Sequence, residues 1–393
     1  MQIGIILSQT PGYSETFFNS KIKGLLKNGI DVTLYCQQKK TDFNLCPVLL
    51  APKVTTNPLL QTWYFVKEFF LLLSYISTLV RYFKLERKEG TGVVQIFKKT
   101  YLNAHILKAK LDWLHFGFAT QALGSETVAK AIGAKMAVSF RGFDINVYPI
   151  KHPDCYNTLW NHVDKVHSIS HYLLQKAIGM GLSAETPSVI ISPAVQVDTM
   201  PITKSIANSE HIKITTIARL TWIKGLDTAI KAMALLKENG LTFTYYIIGE
   251  GESNYTERYK FMVYELGLED NVVFCGKMSH TETLEKLSTT VIYIQPSFDE
   301  GFCNAVLEAQ ALGILTVASN AGGLSENIVD GETGWVVPKY SPEALADRIN
   351  KVVSLSAMEK TTIATNAQKR VLSQFNIERQ EQAFINFYKS KYV

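Results

Sequence analysis

"HIKITTIARLTWIKGLDTAIKAMALLKENGLTFTYYIIGEG", His211 to Gly251, decides the fold. "HIKITTIA" is apolar and rich in β-branched residues, and reads as a buried strand. "GLDTAIKAMALLKENG" carries apolar residues at helical spacing and closes on Asn-Gly, the pattern of a helix and its stop. "TFTYYIIGEG" is a second strand running into a Gly-rich turn. Strand-helix alternation of this kind predicts a parallel sheet covered by helices.

The same alternation continues downstream. "YTERYKFMVYELGL" reads as a helix, "NVVFCG" as a strand, "SHTETLEKLSTT" as a helix and "VIYIQPS" as a strand. A helix from about residue 304, the strand "LTVAS", a helix opened by Glu326 and another after Ser341 follow. Upstream, "QIGIILS" and "DVTLYCQ" are strands around the helix "SETFFNSKIKGLLKNG", with Ser14 as N-cap and Gly29 as stop. "DWLHFGF", "KMAVSF", "KVHSIS" and "SVIIS" are further strands, and residues 59–110 look helical and irregular. A chain of 393 residues exceeds what one core usually serves. The expected architecture is α/β, with two doubly wound Rossmann-like domains facing across a cleft. Residues 1–200 form the first domain and 201–375 the second. The crossing falls in the aperiodic stretch at 195–211, and 376–393 is an amphipathic helix packing back on the first domain. Open α/β sheets bind ligands outside the carboxyl ends of their strands, so chemistry is expected there.

Composition narrows the class. The chain is 47% apolar and 19% charged, which fits a soluble globular protein and argues against disorder. Five scattered cysteines without a CxxC point to reduced thiols in a cytosolic protein. "MQIGIILSQ" lacks a basic leader and reads as a first strand. Residues 1–200 hold 21 Lys+Arg against 13 Asp+Glu, and 201–393 hold 19 against 22. "FFLLLSYISTLV", Phe69 to Val80, is flanked by Lys67, Arg81, Lys84, Arg87 and Lys88, and is too short to span a bilayer. Two readings stand for it, an anionic membrane contact and a buried helix hairpin with a solvated basic rim.

Arg219 follows the strand "IKITTIA", and Lys224 lies just before Gly225 and the next helix. Two fixed cations beside a helix N-terminus suit a diphosphate. "DEGFCNAVLEAQALG", Asp299 to Gly313, supplies two acids. Glu300 precedes a helix and Glu308 lies within it, eight residues on, about 12 Å along a helix at ~1.5 Å per residue. That length suits a nucleoside diphosphate sugar gripped at both ends, with Gly301 permitting close backbone approach. Gly322 and Gly323 form a turn that could add a contact.

At these residues the chain resembles the retaining glycosyltransferases of family 4. The resemblance is strong over about Ile212 to Pro338, through "ARLTWIKG", "YIIGEGES", "VVFCGKM" and the Glu-x7-Glu of Glu300 and Glu308. It implies the GT-B fold, with Arg219 and Lys224 on the diphosphate, Glu300 on the donor sugar, Glu308 on the ribose, and Gly276 and Lys277 beside the nucleobase. Gly301, Phe302 and Cys303 belong to the same donor-binding motif. "PGYSETFFNSKIKGLLKNGIDVTLY", with Gly12, and "LHFGFATQA" and "SFRGFDINVY", are similar to a branch that builds bacterial surface polysaccharides. Two departures stand out: Arg141 replaces a commoner His, and Cys303 a usual Gly. Arg141 is expected to be a fixed cation in the catalytic set, with a structural ion pair to Asp144 as the alternative. His115 reads as structural.

The resemblance implies hexose transfer with retention, in capsule, exopolysaccharide or O-antigen synthesis. The donor is a UDP- or GDP-sugar and the acceptor a lipid-linked glycan. No metal is expected, since there is no DxD-type motif, and no nucleic acid. The expected location is cytoplasmic, peripheral at the inner face of the membrane. A nucleotide-sugar epimerase of the same fold and a non-catalytic nucleotide-sugar-binding partner are the competing readings.

Overall fold

The computed structural model describes residues 1–12, 16–39, 43–197, 200–201 and 211–390. Ser14 lies outside the described residues, as does most of the aperiodic stretch between the halves. Two units result, Met1–Ile191 with Gln380–Val393, and Ser192–Arg379. Residues just after Ile191 join the second unit because Val195 pairs with Asn376 and donates its N–H to the Phe375 carbonyl.

The first unit is a seven-stranded parallel sheet in the order β3-β2-β1-β4-β5-β6-β7. Its strands are β1 (Gln2–Gln9), β2 (Asp31–Gln38), β3 (Val48–Leu50), β4 (Trp113–Phe116), β5 (Lys135–Phe140), β6 (Lys165–Ser168) and β7 (Ser188–Ile190). Ile3, Ile5 and Leu7 of β1 and Val32 and Leu34 of β2 pack against Phe17, Phe18, Ile22 and Leu25 of the helix Thr16–Lys27. The C-terminal helix Ile377–Lys389 places Phe384, Ile385, Phe387 and Tyr388 in this same core.

That core holds a polar chain whose direction can be worked out. His167 Nε2 lies 3.0 Å from the Ile191 carbonyl, so it carries the proton and Nδ1 accepts. Ser139 must then donate to His167 Nδ1 at 2.8 Å and accept from His115 Nε2 at 2.8 Å. His115 Nδ1 is left as acceptor for Tyr388 at 2.5 Å and Lys21 at 3.2 Å. Each buried polar atom of the chain thereby finds a partner, which offsets its desolvation. Burial, helped by the Arg141 charge, holds the Lys21 ammonium well below its usual range. His115 is structural, as its place in an apolar strand suggested.

The second unit is a six-stranded parallel sheet in the order β10-β9-β8-β11-β12-β13. It comprises β8 (Ile212–Ile217), β9 (Phe243–Ile248), β10 (Val272–Gly276), β11 (Ile292–Gln295), β12 (Leu315–Ser319) and β13 (Trp335–Val337). Strands buried on both faces read as continuous apolar runs, as Ile212, Ile214, Tyr245, Ile247, Ile292 and Ile294 do here. The predicted helix opened by Glu326 is absent; Gly322–Asn327 is a 3₁₀ segment that contains it. Such tight turns are used in short connectors, and this one joins β12 to the region before β13. In both sheets the strand order reverses beside the first strand, which puts one topological switch point in each unit.

Candidate functional site

The second unit's switch point lies between β8 and β11, which pair through Ile214–Ile292 and Thr215–Tyr293. The loops leaving these two strands carry Arg219, Lys224 and Glu300. After β8 the chain makes a 3₁₀ turn over Trp222–Lys224 and enters the helix Leu226–Glu238 through Gly225. Gly225 has φ of +64°, and a Cβ there would meet the Pro296 carbonyl oxygen at 2.0 Å. Only glycine can hold this left-handed conformation at such close approach without strain. The Phe298 N–H donates to the Ile223 carbonyl at 2.8 Å, so the two loops are stitched backbone to backbone.

Lys224 Nζ and Glu300 Oε1 are 2.5 Å apart, with side chains 17% and 11% exposed. The same carboxylate oxygen accepts from Ser297 at 2.9 Å. Behind it, Tyr293 donates to Gln295 Oε1 at 2.5 Å and Gln295 Nε2 to Ser297 at 2.8 Å. This relay fixes Glu300 in one orientation. The sequence signal for it was the lone Gln295 at the end of an apolar strand, followed by Pro296-Ser297. Arg219 is exposed and makes no ion pair among the described residues. One cation is therefore open to an anion, while the other is held by a carboxylate and retains further N–H donors.

The helix after Glu300 spans Asn304–Ala311, with Cys303 as its N-cap and no side-chain cap. No side-chain oxygen caps its first N–H groups, and the Cys303 thiol lies against those of Ala305 and Val306. Gly301, Phe302 and Cys303 are buried, and Phe302 packs on Phe375 with ring centroids 5.7 Å apart. Asn327 clamps Cys303 from both sides, accepting from its N–H at 3.1 Å and donating to its carbonyl at 2.9 Å. Burial pushes the Cys303 thiol up to about 12, so it stays neutral. The Gly323 N–H donates to the Glu300 carbonyl at 2.9 Å, which brings the Gly322-Gly323 turn to this loop.

Glu308 Oε1 lies 2.9 Å from His280 Nε2, a partner the sequence did not suggest. The hydrogen bond, more than the charge, raises the His280 ring above its usual range. At the ends of β10 and β9, exposed Lys277 and Glu250 pair at 3.1 Å, and Gly276 turns with φ of +70° into open space.

Arg141 and Gly12 belong to the first unit, following β5 and β1. The Arg141 guanidinium lies over the Phe17 ring, 3.9 Å from its centroid, and 4.8 Å from that of Phe18. Asp144 engages the Arg141, Gly142 and Ala119 backbone N–H groups at 3.1, 2.9 and 3.1 Å. Its carboxylate thus folds the turn after β5 through backbone contacts, and the Arg141 guanidinium is placed by aromatic stacking.

Residues 202–370 match the family described as glycosyl transferases group 1. This segment, within the second unit, is similar to the glycosyl transferases group 1 domain. Over 276 residues it is 29% identical to the amylovoran biosynthesis glycosyltransferase AmsK of Erwinia amylovora, covering 68% of this chain and 67% of the relative. Over 272 residues it is 28% identical to the putative colanic acid biosynthesis glycosyltransferase WcaL of Salmonella typhimurium, covering 67% and 66%. The matched part thus spans about two thirds of each relative. The fold is that of Anabaena Alr3699/HepE, solved in complex with UDP, with a TM-score of 0.71, 17% identity and 98% of each chain covered. Two Rossmann-like α/β units of this kind constitute the GT-B fold. In the second unit, Arg219, Lys224, Glu300 and the N-terminus of Asn304–Ala311 come together around one switch point. Glu308 lies about one helical turn further along the same helix.

Proposed function

We propose that this chain is a retaining glycosyltransferase of family 4 that moves a hexose from a UDP- or GDP-sugar to a hydroxyl of a lipid-linked glycan, in the synthesis of a bacterial surface polysaccharide. The observation that carries the reading is the Lys224–Glu300 pair at the switch point, beside exposed Arg219 and an uncapped helix N-terminus. An anionic diphosphate and a polyhydroxylated sugar are what such a mixed site binds well. The polysaccharide assignment is supported by the names of the two relatives, and the nucleotide donor by the UDP held by the fold neighbour.

The barrier lies in breaking the bond between the anomeric carbon and the diphosphate oxygen. Arg219 and Lys224 stabilise the negative charge that develops on that oxygen, aided by the N–H groups of the helix starting at Asn304. These cations take the charge-neutralising role without a metal. Glu300, fixed by Ser297 and Lys224, uses its remaining lone pairs to position the sugar. The acceptor oxygen attacks from the face the leaving group departs, its proton passes to the leaving phosphate, and the anomeric configuration is kept. Glu308 accepts from the ribose hydroxyls, and Gly276 and Lys277 border the base. Arg141 adds a fixed charge in the first unit, which takes the acceptor at the cytoplasmic face of the membrane.

Incubation with UDP- and GDP-hexoses and a lipid-linked acceptor tests the reading. Glycosylated acceptor of retained configuration supports it. An epimerised donor, or binding without turnover, overturns it in favour of an epimerase or a binding partner.

A further inference from the structure

The first unit carries an apolar surface outside the residues assigned to the transfer, and the inference drawn from it deepens the membrane location proposed above. The helix Pro58–Leu72 runs through a short 3₁₀ turn, Leu73–Tyr75, into the helix Ile76–Lys88. Leu59, Trp63, Val66, Phe70 and Leu73 recur at spacings of four and three residues, and all are exposed, Trp63 by 63% and Phe70 by 73%. This is one stripe of a helix, and it faces solvent. Ile76, Val80 and Phe83 extend it, and Val94 and Phe97 of the neighbouring helix Val93–Leu102 are exposed as well.

The opposite side is firmly seated. Leu72, Tyr82 and Glu86 are buried. Phe65 stacks on Tyr101 with centroids 5.5 Å apart, Glu68 pairs with Lys108 at 3.0 Å, and Glu86 pairs with Lys99 at 2.7 Å. The outward apolar stripe is thus the fixed outer face of a docked element. The buried hairpin read as one alternative from sequence is only half realised. By length and composition Pro58–Lys88 could cross a bilayer. To do so it would have to give up these buried contacts and the ion pairs of Glu68 and Glu86, so its protein-facing side excludes a lipid-surrounded span.

Charge identifies the occupant. Lys67, Arg81, Lys84, Arg87 and Lys88 are all exposed on this segment. Its only carboxylates within residues 58–88 are Glu68 and Glu86, and both are already neutralised by lysines. A stripe with tryptophan and phenylalanine bordered by unneutralised cations matches the boundary between acyl chains and acidic headgroups. We propose that this face docks on an anionic lipid bilayer, with the Leu59–Trp63–Val66–Phe70–Leu73 stripe in the interface plane and the basic residues on the headgroups. A second copy of this chain would meet the same cations face to face, and a neutral apolar partner would leave them unmatched.

The test is flotation of the full chain with vesicles of phosphatidylcholine, alone or mixed with phosphatidylglycerol, without donor or acceptor. Binding should need phosphatidylglycerol and weaken as salt is raised. Trp63→Ser with Phe70→Ser should lower the partition coefficient about tenfold or more, since each removes a large buried apolar side chain from the bound state. Lys84→Gln with Lys88→Gln should lower it only for the anionic vesicles. All four side chains are solvent-exposed, so the unfolding midpoint should not move, and failure here leaves the transfer reading untouched. Vesicle binding that is absent, or unchanged in the apolar double variant, overturns the proposal. So does a concentration-dependent dimer, seen by sedimentation, that the same variant dissolves.

Discussion

Lys224 and Glu300, 76 positions apart in the sequence, meet at 2.5 Å where the loops after β8 and β11 converge. The cation proposed to bind phosphate is thus held by the carboxylate proposed to bind sugar. The pairing places both groups before a donor arrives and leaves the remaining ammonium protons pointing elsewhere.

Removing either cation should cost catalysis. Lys224→Ala and Arg219→Ala are each expected to lower kcat/KM by ~10²-fold or more, as loss of leaving-group stabilisation does. Their stabilities should differ. Arg219 is exposed and its loss should leave the unfolding midpoint unchanged, whereas Lys224→Ala strips the partner from a largely buried carboxylate and should cost about 1 kcal/mol. Steady-state kinetics and thermal unfolding of both variants check this, and wild-type turnover in either would sink the clamp.

Gly225→Ala should be damaging although it adds one methyl group. The Cβ would strike the Pro296 carbonyl at 2.0 Å in a left-handed backbone. Relief requires separating the two loops that carry Lys224 and Glu300. Loss of stability of about 2 kcal/mol or more is expected, with weakened donor binding. Calorimetry with and without UDP would read both effects.

The Glu308–His280 contact makes a signed prediction. Its hydrogen bond raises the His280 ring above the ordinary imidazole value, so the folded state holds that proton more tightly than the unfolded one. The contribution to stability is therefore full below about pH 6.5, the unfolded value, and is lost as pH rises through the higher folded value. In Glu308→Gln the ring should titrate near its ordinary pKa, observable by NMR. UDP or GDP affinity should also fall, and equal affinity in wild type and variant would remove Glu308 from the ribose.

Acid should destabilise the first unit. Burial is the main cause that holds His115 and His167 well below the usual range and His105 at about 4. For such depressed groups the unfolded state binds protons first, so stability is present above about pH 6.5 and is lost as pH falls below it. His105→Gln should reduce the pH slope of the denaturant midpoint between pH ~6.5 and ~4 by up to one proton's worth.

Arg141 stacks on Phe17, which a lysine cannot reproduce with its compact ammonium. Arg141→Lys should keep only part of the activity. Arg141→His should become pH-dependent, gaining activity as pH falls toward about 6.5, where the imidazole charges. A lowered unfolding midpoint with unchanged kinetics in Arg141→Ala would leave this residue as scaffold.

The sequence by itself determined the two parallel α/β sheets, because buried strands write themselves as apolar runs such as Ile212 to Ile217 and their crossover helices as amphipathic ones. It also offered the candidate site residues, with Arg219, Lys224 and Glu300 at strand ends or a helix start and Glu308 within the helix Asn304–Ala311. What only tertiary structure decided is who touches whom. The Lys224–Glu300 pair, the Glu308–His280 contact and the chain from Lys21 through His115, Ser139 and His167 to Ile191 join residues from different elements. Local propensity carries no term for such contacts. The segment at 58–88 shows the same limit, because its apolar periodicity is identical whether the stripe faces a core or water. Its outer face was decided by what the opposite side packs on, through Leu72, Tyr82, Glu86 and the lysines that hold the two glutamates.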